Sequence, residues 1–233
     1  MLALGLLASP VVGATPSAAP ASSGAPPKCA YADTATPFSK TSAWQTTLLD
    51  SALRVSSAYV PPLVSVAQAG FGGGYLVRPE VILDLAAMRR AAAAAGAPLA
   101  IVSAYRSYGT QISTFNAWVR QSGYSAALLA SARPGHSEHQ LGTAIDFTSA
   151  GGSAPWDYED WATTKAGAWM AANAATYGFV LSYPDGATAT TCYQYEPWHY
   201  RYFGPAVAAD IEASGLTTRG YLWGLGAGGG QTQ

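Results

Sequence analysis

Glycine and proline cut this chain into short segments, and the apolar residues within them alternate between helical and extended spacing. That punctuation restricts the fold more than any bulk property does. Pro79 to Ala95 is predicted to be a helix: Pro79 suits a first turn, Ile82, Leu85 and Met88 recur at helical spacing, and Gly96 is placed to end it. A buried strand follows from Leu99 to about Tyr105. A second helix is expected from Tyr108 to Gln121, with Ile112, Phe115 and Val119 on one face and Gly123 as its stop. A shorter helical segment around Ser125 to Ala132 ends at the Arg133-Pro134-Gly135 turn. In the strand TAIDF, Ala144 and Asp146 share one face while Thr143, Ile145 and Phe147 take the other. An alanine-rich helix from Trp161 to Tyr177 stops at Gly178, and FVLSYP reads as a strand. YEPWHYRYF is extended but broken by Pro197, and a last helix covers Pro205 to Ala213. Short strands mixed irregularly with helices predict an α+β fold, a small and mostly antiparallel sheet flanked by helices and carrying the site.

The 233 residues suffice for one domain with a full core. A net charge of -1 without any run of Lys or Arg excludes the basic footprint of a nucleic-acid binder. Residues 1–14, MLALGLLASPVVGA, have the shape of a signal-peptide core and cleavage site, too short and too broken by Pro10 to span a bilayer. No Lys or Arg precedes Lys28, so either the true start lies upstream or this signal is unusual; the alternative is a disordered alanine-rich tail. Residues 15–35 form an Ala/Ser/Pro-rich linker that contains Cys29, 36–225 the folded domain, and 226–233 a flexible tail. The expected location is therefore secreted or in the cell envelope. Cys29 and Cys192 are the only cysteines, and an even count in an exported chain points to a disulfide between them.

The chain has three histidines, His136, His139 and His199. Two lie in PGHSEHQLGTAIDF and the third in EPWHY. His139, Asp146 and His199 each offer a ligand atom beside glycine or proline punctuation, and two imidazoles with one carboxylate match a catalytic zinc site, which leaves a fourth position open. Structural zinc sites more often use cysteines, which here fall outside the histidine clusters. Asp146, between Ile145 and Phe147, is costly to bury unless paired or bound to metal. Glu196 stands three residues before His199. Pro197 disfavours helix at Glu196, and a straight strand would point the two side chains apart. The chain must bend near Pro197 if both are to face one metal. From there Glu196 would move the proton of an attacking water to the leaving amine.

Residues 137–146, SEHQLGTAID, fit the pattern S-x-H-x-x-G-x-A-x-D; Glu196-Pro197-Trp198-His199 fits E-x-W-H, and Ser103-Ala104-Tyr105-Arg106-Ser107 fits S-x-Y-R-S. In this order they resemble the VanY-type D-alanyl-D-alanine carboxypeptidases, zinc peptidases of peptidoglycan, over about residues 59–221. The resemblance implies a Hedgehog/D-Ala-D-Ala-peptidase-like fold, a zinc carboxypeptidase domain over 36–225, and removal of the C-terminal D-alanine from peptidoglycan stem peptides; separately, a monomer with no stable membrane span is expected. The resemblance makes His139, Asp146 and His199 the Zn2+ ligands and Glu196 the general base and acid. Arg106 would face the reacting carbonyl or the terminal carboxylate, which its fork of donors suits; the alternative is a structural salt bridge. Gln111 and Ser137 match positions that help bind the peptide. His136 has no ligand role and would order the loop carrying His139. Trp198, Tyr195 and Tyr200 are expected as packing residues or pocket walls.

Two other readings use the same residues: an L,D-carboxypeptidase or L-Ala-D-Glu endopeptidase on this scaffold, and a zinc-containing wall-binding module without turnover. The second has no use for a base at Glu196. A serine acyl-enzyme lacks its Ser-x-x-Lys or G-x-S-x-G arrangement.

Overall fold

The structure, a computed structural model, describes residues 25–227. The expectations for 1–14, for the first part of the linker and for residues 228–233 lie outside that range. Two short ribbons come first: β1 (Thr34–Ala35) pairs in parallel with β2 (Leu53–Arg54), and β3 (Val64–Ser65) pairs antiparallel with β4 (Leu76–Val77). A 3-10 turn starting at Pro79 leads into α1 (Ile82–Ala94), as its sequence predicts. Then follow β5 (Leu99–Ser103), α2 (Tyr108–Ser122), α3 (Tyr124–Ala130), β6 (Ala144–Ser149), α4 (Lys165–Asn173) and β7 (Phe179–Leu181). The chain closes with α5 (Thr188–Thr191), β8 (His199–Tyr202), α6 (Pro205–Ser214) and α7 (Thr218–Leu222). The main sheet has the order β5-β6-β8-β7 and is antiparallel throughout.

The two faces of this sheet have different tasks. Ile145 and Phe147 of β6 and Tyr200 and Tyr202 of β8 turn into the largest core cluster, with Leu85 and Met88 of α1 and Met170 of α4. Phe147 is fully buried, and truncating such a side chain to alanine costs about 3–5 kcal/mol. Because strand side chains alternate, Asp146, His199 and Arg201 must emerge on the other face. Asp146 and His199 are direct partners in the β6–β8 register, so one antiparallel pairing brings two distant motifs together.

Several boundaries differ from expectation. The β5 strand ends at Ser103 rather than near Tyr105, because Tyr105 N–H turns to the carbonyl of Leu76 and Ser107 caps α2 through Thr110 N–H. Ile112 is exposed on α2. Phe115 is buried and Val119 half-buried on the inner face as expected, with Trp118 beside them; Gln111 joins that face, drawn in by hydrogen bonds to Ser131 and Ala132. The helix expected from Trp161 to Tyr177 is split into a 3-10 turn, α4 and a second 3-10 turn. Thr164 restarts it by capping Gly167 N–H. The helix starting at Pro205 is not the last, since Thr217 caps the short α7, whose five residues carry little periodicity.

The segment expected as linker is bound to the domain from Pro27 onward. Arg219 donates to the carbonyl of Pro27, Arg133 pairs with Asp33, and Cys29 is disulfide-bonded to Cys192 with a Cα–Cα distance of 5.4 Å. Cross-linking residues 163 positions apart stabilises mainly by restricting the unfolded chain, by about 5 kcal/mol at most and about 2–4 kcal/mol in typical cases. Replacing both cysteines by serine is therefore expected to lower the urea midpoint with no new phase. An unchanged midpoint in chemical denaturation removes the bridge from the list of stabilising contacts. Among the described residues, no helix is long and apolar enough to cross a membrane.

Candidate metal centre and active site

The turn that carries His139 is built by its neighbours. Ser137 leads into a 3-10 turn, Glu138–Leu141, that ends on Gly142 with φ 75°. A side chain there would also press within 3.1 Å of Pro61 and 3.2 Å of Arg78, so backbone conformation and space both require glycine. Arg78, itself buried, clamps the turn by donating to the carbonyls of Leu141 and Thr41. His136 is fully buried and does order this loop: Nδ1 meets the carbonyl of Asp50 at 2.8 Å and Nε2 meets Asp33 at 3.0 Å.

On the site face, His139, Asp146 and His199 place one ligand atom each within 4.8 Å of one another, all three buried. The Asp146 carboxylate lies between the two imidazoles. Its Oδ1 is 3.0 Å from His199 Nδ1 and its Oδ2 3.2 Å from His139 Nε2. That His139 nitrogen is buried and makes no hydrogen bond, while its Nδ1 is held by the carbonyl of Ala104 at 2.6 Å. An orphaned nitrogen aimed at a carboxylate and a second imidazole is the arrangement a divalent metal would complete, and the N, N, O donor set fits zinc.

Electrostatics support the same reading. Burial, with Arg106 nearby, pushes His139 down to about 4, so its imidazole is neutral and free to ligate. Burial also works against a charge on His199, but hydrogen bonds to Asp146 and Glu138 outweigh it and hold this group up at about 10. Asp146 lies well below the usual carboxylate range: burial disfavours its charge, and the two histidines overcome that.

The bend demanded of Pro197 is present. His199 N–H donates to the carbonyl of Glu196 at 3.1 Å, closing a tight turn, and Glu196 Oε2 comes to 3.7 Å from His199 Nδ1. Burial pushes Glu196 up to about 7, against the opposing pull of His199. Arg106 reaches the same cavity from the β5–α2 connection. It has no ion-pair partner among the described residues, and its Nε is buried without a hydrogen bond. The salt-bridge alternative for Arg106 thus finds no support here.

These side chains line a cavity of about 320 Å³ together with Ser137, Tyr183 and Trp198. Ser137 is on the wall. Gln111 stands behind it, donating to Ser131 and to the carbonyl of Ala132, two residues that are themselves lining. Trp198 packs edge-on against the exposed Trp156 at the rim; Tyr195 lines an adjoining cleft, and Tyr200 belongs to the core. Sequence reasoning passed over Glu138 and Arg201. Glu138 is buried between His199 and Arg201, at 3.0 Å from each. An acidic residue beside the histidine of a metal motif was the only signal available.

Fold and site together define an α+β domain built around a candidate metal centre at the meeting of β6, β8 and a glycine-ended turn. The family described as VanY: D-alanyl-D-alanine carboxypeptidase matches residues 74–205, and the chain belongs to that family. It is 40% identical over 146 residues to the "Putative carboxypeptidase YodJ" of Bacillus subtilis (strain 168), covering 63% of this chain and 53% of YodJ. The chain thus spans about half the length of that relative. Among solved structures, the LdcB LD-carboxypeptidase superposes with a TM-score of 0.65 at 34% identity, over 76% of this chain and 84% of that one. A VanY D,D-pentapeptidase from a VanB-type resistance cassette, solved in complex with Zn(II), gives 0.66 at 27% identity over 77% and 99%. The α+β fold with its small antiparallel sheet is that of these proteins.

Proposed function

We propose that this chain is a zinc-dependent carboxypeptidase that removes the C-terminal D-alanine from peptidoglycan stem peptides. The observation that carries the reading is the buried cluster of His139, Asp146 and His199 beside a carboxylate, Glu196, whose proton affinity burial has raised to the neutral range. Zinc bound there supplies Lewis acidity toward the scissile carbonyl and lowers the pKa of a water ligand toward 7. The protein's own groups do the rest. Arg106, which lines the cavity without an ion-pair partner among the described residues, receives the peptide's terminal carboxylate in a two-pronged contact that selects a free C-terminus. Glu196 takes a proton from the attacking water and returns it to the amine nitrogen as the C–N bond breaks, so that free D-alanine leaves. Ser137 contributes to the peptide-binding wall, and Gln111 acts through the Ser131–Ala132 segment that it braces. The Cys29–Cys192 bridge supports export to an oxidising compartment, the cell envelope or beyond. We assign the protein as a monomer.

A second reading, cleavage of an L,D bond, is favoured by one observation: identity is 34% to LdcB against 27% to the D,D-pentapeptidase. Incubation with pentapeptide and tetrapeptide stems decides between them. D-alanine is expected from the pentapeptide, and release from the tetrapeptide alone overturns the D,D assignment. A C-terminally amidated pentapeptide is expected to lose about 10²-fold in kcat/KM, since the half-buried guanidinium of Arg106 is left without its anion, worth about 3 kcal/mol. Equal turnover of the amide removes Arg106 from carboxylate recognition.

A further inference from the structure

The two histidines of the cluster present opposite nitrogens. His139 turns Nε2 to Asp146 and is held from behind, at Nδ1, by the carbonyl of Ala104. His199 turns Nδ1 to Asp146 and is held from behind, at Nε2, by the carboxylate of Glu138 at 3.0 Å. The choice of nitrogen on an imidazole ligand is set by the hydrogen bond that the other nitrogen makes. A carbonyl does this for His139, whereas His199 has a full negative charge, which makes its ring a stronger donor to a cation.

That carboxylate is anchored on every side. Ser182 Oγ donates to Oε2 at 2.7 Å, and Arg201 Nη1 donates to Oε1 at 3.0 Å. Arg201 is wholly buried. Its Nη2 is spent on the carbonyls of Trp44 and Thr47, both at 2.8 Å, so the guanidinium is fixed by backbone and has no rotamer freedom to spare. The strand period explains the arrangement: His199 and Arg201 are two apart on β8 and share its site face, and Ala144, opposite Arg201 in the register, leaves room for the guanidinium to reach Glu138. A buried ion pair of this geometry is weak support for stability alone, since desolvation offsets much of its attraction. Its position behind a ligand gives it another task.

We infer that Glu138, held by Arg201 and Ser182, is a positioning residue that commits His199 to metal ligation through Nδ1 and strengthens it as a donor. The inference rests on the metal reading of the site, and it extends that reading to residues outside the three ligands.

The test is zinc affinity of the whole chain, measured by competition with a chromophoric chelator, together with ring 15N correlations of His199 in the zinc-loaded protein. For wild type, His199 should show a proton on Nε2 and metal on Nδ1. Glu138→Gln keeps the volume but removes the charge, and it should weaken zinc by about 10–100-fold. Ser182→Ala, which removes one hydrogen bond from the same carboxylate, should weaken it by only a few-fold. Zinc affinity within two-fold of wild type in Glu138→Gln overturns the proposal. So does Nε2 ligation of His199 in wild type, a result that stands even if the Gln variant fails to fold. Wild type that binds no zinc at all overturns the metal reading instead, so the two failures are distinguishable.

Discussion

Glu196→Ala is expected to lower kcat on a D-alanine-terminated stem peptide by about 10³-fold while zinc stays bound and the fold stays intact. Three observations support this. Glu196 is brought beside the cluster by the Pro197 bend but is not one of the three ligand atoms, so its removal leaves the metal site standing. It is the only carboxylate besides Asp146 and the Arg201-bound Glu138 that approaches His199 among the described residues, so nothing near can replace it. Burial also raises it to about 7, above the ordinary carboxylate value, where it exchanges protons effectively at neutral pH. The stability sign follows from the same shift. A carboxyl group whose pKa is raised on folding disfavours the folded state once it ionises, so the metal-free protein should lose stability as pH rises from about 4.5 to 7. Glu196→Ala should remove that loss, leaving a metal-free protein at least as stable as wild type at pH 7. In the loaded protein the cation favours the ionised carboxylate, which places the acid limb of kcat/KM at or below about 7. Steady-state kinetics and a thermal melt check both parts. Activity within ten-fold of wild type would assign the proton transfer to another group.

Asp146→Ala is expected to abolish both zinc binding and hydrolysis. Its carboxylate meets both imidazoles, and of the three proposed ligands it is the one that carries negative charge. Losing an outer partner of a metal site costs about 10–100-fold in affinity, and losing this ligand should exceed that range. Chelation of the wild-type protein should produce the same inactive state, reversed by added zinc. Zinc at a hundred times its dissociation constant should stabilise wild type by about 2.7 kcal/mol, and the variant should gain nothing. The pH dependence has a definite sign. In the metal-free protein His199 is held up at about 10, so a metal entering at Nδ1 must displace a proton, and loading should weaken as pH falls. Calorimetric titrations at two pH values measure this. Equal zinc stabilisation of wild type and Asp146→Ala would mean that the cluster is not where the metal binds.

Much of this site was legible because its chemistry is local in sequence. Glycine punctuation beside His139 was visible, although only the structure shows that Gly142 ends its turn in the left-handed region; alternation on β6 places Ala144 and Asp146 on one face and Ile145 and Phe147 in the core. The requirement for a bend at Pro197 could be stated in advance because neither helix nor straight strand lets Glu196 and His199 share a target. On α2 the expected Phe115 and Val119 do pack inward, but Ile112 is exposed and Gln111, a polar residue, takes the inward place through long-range bonds to Ser131 and Ala132 that no periodicity reveals. The split of the 161–177 segment also escaped notice, since an alanine-rich stretch supports one helix or several turns almost equally well and Thr164 decides.

By itself the sequence determined which atoms were available to a metal and how each short motif must be shaped around its ligand, because backbone sterics, strand period and proline act over a few residues. Only the tertiary structure decided which nitrogen each histidine presents, that Arg106 has no ion-pair partner among the described residues, and that Glu138 stands behind His199 with Arg201 behind it. Those facts depend on contacts between residues tens of positions apart. The β6–β8 pairing and the burial around it set them, and no local rule of spacing carries that information.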